Sequence, residues 1–177
     1  MTKSNEAILS DAGILFEKIT DARLMHHHVE ATRPDGYDLH RLWQAADGQA
    51  DDDFLNQISQ NFTARRQFKA ILSQKANAYQ AQQAAASSIS DQRSGEDFDV
   101  RITPSSSQDG LVYVQLIFHH PITEQNDDMQ MLISHCNGIF RQKPLTSAQD
   151  QRIQILLHHD DPMLKDLRDP ETELYIK

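Results

Sequence analysis

Cysteine is almost missing from this chain: Cys136 is the only one in 177 residues. No intramolecular disulfide can form, the Cys/His spacings of structural zinc sites are absent, and a reducing compartment is the default expectation. Long apolar runs are missing as well, since no stretch approaches the roughly 20 apolar residues of a membrane span. Lys3, Asn5 and Glu6 interrupt the N-terminal region where a secretory signal needs an apolar segment. The expectation is a cytoplasmic chain that does not enter a membrane.

Glycine is sparse and never clustered. The six glycines, at 13, 36, 48, 95, 110 and 138, stand singly, which removes the glycine-rich loops that cradle phosphates. No serine-centred nucleophile elbow and no internal repeat is present. The acidic groups Asp51–Asp53, Asp127–Asp128 and Asp160–Asp161 lack the alternating spacing and central glycine of a calcium loop, so they read as helix starts and exposed turns. No cofactor is expected.

An excess of basic charge is also absent. The formal net charge is -9, and residues 95–177 hold 14 acidic against 7 basic side chains. Such a surface repels phosphate backbones and anionic lipid, which disfavours direct nucleic-acid and membrane binding. A basic protein partner suits it better.

What is present is periodicity, and it changes along the chain. Apolar residues from Asn5 to Val29 recur at three and four, the helical period, until Pro34 and Gly36 break the pattern. Asp38 caps a short helix through Leu42, Trp43 and Ala46, with Gly48 beyond its end. After Asp51–Asp53, a stripe of Phe54, Leu55, Ile58, Phe62, Arg65, Phe68, Ile71 and Leu72 predicts one long helix. The alanine- and glutamine-rich stretch 75–86 keeps high helix propensity and reads as a solvated extension of it or a linker.

Beyond a serine-rich boundary the period becomes two. Phe98–Ile102 and Leu111–Phe118 alternate as strands, and Asn137-Gly138 predicts a type I′ hairpin between a strand ending at Cys136 and one beginning at Ile139. Arg152–Leu157 reads as a strand, Asp161–Leu167 as a short helix with Pro162 in its first turn, and Glu173–Ile176 as a last strand. The fold class expected is α+β: an N-terminal helical region over 1–90, a linker over 91–97, and a small, mainly antiparallel β module over 98–177, as a sandwich or partly open barrel with a short helix near its end.

The nine histidines are the main candidates for chemistry. His26, His27 and His28 fan out around a helix and cannot converge on one ion. The pairs His119-His120 and His158-His159 each close a predicted strand. Were those strands parallel, one imidazole of each pair could join Asp160 or Asp161 around a metal, and a set of His119, His158 and Asp160 would support a metal-dependent hydrolase. Antiparallel pairing, the usual choice of a small all-β module, puts the pairs at opposite ends. Cys136 beside His135 invites a thiol–imidazole reading, but neighbours on a strand face opposite ways.

With no convincing reacting centre, the leading expectation is a non-catalytic protein-interaction module, a regulator, adaptor or assembly factor. It would use Phe54, Ile58, Phe62, Arg65, Arg66 and Lys69 to hold a protein partner, and the helical region could also pair two copies of the chain. The metal-dependent hydrolase is the first alternative. An acidic mimic of nucleic acid is the second, resting on the acid excess of the C-terminal half.

Overall fold

A computed structural model describes residues 37–83, 89–120, 130–146 and 150–177. The helix read over Asn5–Val29, its three histidines, the break at Pro34 and the acid pair Asp127–Asp128 lie outside the described residues. The chain divides after Tyr37, and Asp38–Lys177 forms one compact unit. Among the described residues, no helix is long and apolar enough to cross a membrane.

The unit opens with helix α1 (Leu39–Gln44), whose first turn is capped by Asp38 accepting from His40 N. One wide turn, Ala45–Gln49, follows, in which Gly48 takes a φ of 78°. The long helix predicted from the apolar stripe is instead two, α2 (Asp52–Gln60) and α3 (Phe62–Lys75). Asn61 separates them with an extended backbone, and its side chain caps α3 by accepting from Ala64 N at 3.0 Å. Asparagine offers the chain that local alternative to a continued helix.

The polar extension expected after Lys75 is a second correction. Ala76 has an extended backbone, and Ala78–Gln80 forms strand β1. Its pairing with the strand Glu173–Ile176 and the burial of Ala78 and Gln80 outweigh the local helix propensity of this segment, which tertiary context overrides. Strand β2 (Gln92–Ser94) lies within the stretch read as a linker.

The other strands follow the alternating sequence closely: β3 (Phe98–Pro104), β4 (Leu111–Phe118), β5 (Met131–Cys136), β6 (Ile139–Pro144) and β7 (Arg152–His158). Helix α4 (Pro162–Arg168), capped by Asp161, and strand β8 (Glu173–Ile176) complete the described chain. Asn137 and Gly138, with φ of 50° and 80°, form the turn between β5 and β6, as their type I′ signal requires. The α+β class is thus the one observed.

All strands pair antiparallel, in two four-stranded sheets ordered β1-β8-β5-β6 and β2-β3-β4-β7. Alternate residues of β3, β4 and β7 (Phe98, Val100, Ile102, Val112, Val114, Leu116, Phe118, Ile153 and Leu157) join Leu132, Leu174 and Ile176 of the first sheet and Met163, Leu164 and Leu167 of α4 in one core. Each such side chain, fully buried, stabilises the fold by about 1.5–3 kcal/mol relative to exposure.

The other face of the β1-β8-β5-β6 sheet is covered by helices. Phe140 of β6 meets Phe68 of α3 edge to face, with ring centroids 4.8 Å apart, and Phe140 N donates to Ser59 Oγ of α2 at 3.1 Å. Because both faces are covered, β8 is buried at every position.

Candidate functional site

The six residues expected to bind a partner divide sharply. Phe54 and Ile58 are 5% and 0% exposed, so they belong to the packing of α2 and contribute nothing to an accessible surface. Lys69 is engaged too, its Nζ lying 2.7 Å from Glu173 Oε1. Most of the stripe is therefore core: an amphipathic helix lying on a sheet buries its apolar face there. What stays accessible lies at the start of α3. Phe62 is 71% exposed and Arg66 is exposed as well.

Arg65 links this helix start to the β5–β6 hairpin. Its Nη1 donates to Ser59 O at 2.6 Å, and its guanidinium carbon stands 5.8 Å from the Phe62 ring centroid. The same guanidinium packs against the turn, where a Cβ at Gly138 would come within 3.1 Å of Nη1. Ile139, next in the chain, is 39% exposed. An aromatic ring and a fixed arginine thus share one stretch of surface beside the turn, while Ile139, paired with Cys136, lies on the other face of the hairpin.

The histidine pairs do not converge across the sheet. In the β4–β7 register Leu111 faces His158 and Ile117 faces Arg152, so the two pairs lie at opposite ends of these strands. His119 is occupied locally: its Nε2 is 3.3 Å from Asp99 Oδ1 and its Nδ1 2.8 Å from Glu96 O. The set of His119, His158 and Asp160 is therefore not assembled, because the pairing is antiparallel. His158, His159 and Asp160, however, do come together with one another.

The densest polar cluster was missed in the sequence. Glu173, at the start of β8, accepts from Lys69 of α3, from Tyr79 Oη of β1 at 3.2 Å and from Tyr175 Oη at 3.3 Å, while His135 Nδ1 of β5 lies 3.0 Å from its Oε2. Burial pushes the Glu173 carboxyl upward, but the bonds from His135 and Lys69 outweigh it and hold the carboxyl at about 2. Burial and the neighbouring carboxylate raise Tyr79, and the same two causes raise Tyr175. His135 also stacks on Phe140, with centroids 4.3 Å apart.

A carboxylate so fully engaged stays ionised and has no free lone pair facing a cleft, so it serves as a tie between α3 and the sheet rather than as an acid or base. A second tie lies on the opposite face, where Asp166 of α4 accepts from Ser134 Oγ at 2.6 Å and from Arg141 Nη1 at 2.7 and 2.8 Å. No local signal could have revealed either cluster, since apart from Tyr175 the partners of Glu173, and those of Asp166, are distant in the chain.

Cys136 is buried, with Sγ 3.5 Å from Asp169 Oδ2, and burial raises its thiol. A thiol held protonated is a poor nucleophile, and His135 turns to the other face, toward Glu173. Beside it, Arg93 is 2% exposed and donates to the carbonyls of Asp169 and Thr172 at 2.9 and 2.7 Å. These contacts join β2 to the chain that follows α4. No protein-family model, curated protein or solved structure matches this chain.

Proposed function

We propose that this protein is an interaction module that holds a protein partner through Phe62, Arg65 and Arg66, the surface at the start of α3 beside the β5–β6 turn. One observation carries the reading: Phe62 keeps 71% of its surface exposed although it continues a stripe whose other large apolar members are buried. Exposing a phenylalanine forfeits about 1.5–3 kcal/mol of burial. Aromatic and arginine side chains together are also the composition of interface hot spots.

The partner that fits has an apolar pocket for Phe62 and a rim of carboxylates for the two arginines. This places a basic contact on an acidic chain, and it differs from the basic partner that net charge alone suggests. The acidic-mimic reading has less behind it, because much of the acid excess is used internally. Glu173 and Asp166 are tied as described, Asp161 caps α4 and pairs with Lys143 at 2.8 Å, and Asp99 lies beside His119.

The test compares Phe62→Ala and Arg66→Glu with the parent in affinity capture followed by mass spectrometry. Both variants are expected to keep the parent circular dichroism and thermal midpoint while losing at least about tenfold in affinity for the captured partner, the usual cost of truncating a hot spot. Unchanged capture by both folded variants overturns the reading. If the captured species is a second copy of the chain, sedimentation of the parent against Phe62→Ala reports it.

A further inference from the structure

We propose that the corner between β7 and α4 is a binding site for a divalent first-row transition-metal ion, held by His158, His159 and Asp160. Each of these residues offers one ligand atom, and the three atoms lie within 4.8 Å of one another. Two imidazoles and a carboxylate are the donor set preferred by zinc, nickel and copper ions over magnesium or calcium.

Successive residues of a strand point to opposite faces, which would separate His158 from His159. The strand ends at His158, however, and the chain turns at once. His159 N donates to Gly110 O at 2.8 Å and Asp161 N donates to His158 O at 2.9 Å. The turn swings the second ring beside the first, with centroids 4.7 Å apart and planes inclined by 40°. Asp160, the next residue in the turn, brings its Oδ1 to hydrogen-bond distance of His158 Nδ1.

Two further features suit an ion. His159 Nδ1 lies 3.2 Å from Gly110 O, so a proton on Nδ1 leaves the Nε2 lone pair free. Holding one ring nitrogen on a carbonyl or carboxylate is how proteins orient histidine ligands. The facing turn is also bare: Gly110 has a φ of 81°, and a Cβ there would stand 3.5 Å from both His158 Nε2 and His159 Nδ1. Glycine therefore supplies the left-handed turn that presents its carbonyl to His159. All three donors are exposed, so an ion can enter directly and keep water in its remaining positions.

The experiment is a titration of untagged full-length protein with zinc chloride in competition with a chromophoric chelator. The parent is expected to bind one equivalent through this site, with no competition from magnesium. His158→Gln/His159→Gln is expected to weaken zinc binding at least about tenfold, and Asp160→Asn, altering one exposed side chain, is expected to weaken it in the same direction. A variant with alanine at His26, His27 and His28 is expected to retain the site, which separates it from the N-terminal histidines. No saturable zinc binding overturns the proposal. So does a loss of less than tenfold in the double variant, or parental affinity in Asp160→Asn if the double variant fails to fold.

Discussion

At the scale of single residues, Glu173 sets the clearest expectation. Its carboxyl is held at about 2 against an ordinary 4.5, so the ionised form is favoured by folding. A group lowered in this way contributes its full stability above the ordinary value, and the contribution drains away as pH falls through the folded one. Glu173→Gln is expected to cost about 1–3 kcal/mol near pH 7, the range for charge-assisted bonds to a buried group. Urea midpoints measured against pH should show parent and variant converging between pH 4.5 and about 2; a constant gap would mean that the charge is not what stabilises. None of this was legible from the local sequence. Glu173 reads there as one residue of a strand, and its partners at 69, 79 and 135 are brought to it only by the pairing of β8 with β1 and β5 and the packing of α3 on that sheet.

Individual elements show where local pattern suffices and where it does not. Alternation in Phe98–Ile102 and Leu111–Phe118 and the Asn137-Gly138 turn specify strands and a hairpin, because period and turn chemistry act within a few residues. The break at Asn61 is hidden, since apolar spacing runs from Ile58 to Phe62 without glycine or proline to mark it. Segment β1 is hidden for the opposite reason: its strand partner lies far along the chain. Two glycine turns can be ranked. Gly138→Ala meets a positive φ and the flexible end of Arg65, and is expected to cost about 1–2 kcal/mol. Gly48→Ala meets the same backbone strain and places a Cβ 2.4 Å from Met131 Cγ inside the fold, so it should cost more. Thermal midpoints of the two variants test the order, and equal losses would remove the packing argument.

Across the whole molecule, the α+β class is readable because helical and alternating periods occupy separate stretches. The sheet order is not, for it joins strands from both sides of the β2-β3-β4 meander. Among the described strands, β4 lies between β3 and β7, and β5 between β8 and β6, whereas β2, β7, β1 and β6 each have one neighbour. Hydrogen exchange read by mass spectrometry should therefore find the slowest amides in β4 and β5 and faster exchange in β2. Protection in β2 equal to that in β4 would show that Arg93 and its carbonyl partners hold that edge as firmly as the sheet centre.

The pairing of β1 with β8 has an effect on order of assembly. Tyr79 meets Tyr175 across this pair, and among the described strands β1 has no other beside it. On a ribosome the helices and β1 emerge well before Glu173–Ile176, so the nascent chain must carry an incomplete floor beneath α2 and α3 while the meander forms from neighbouring segments. Synthesis of β8 is then the step that completes this sheet.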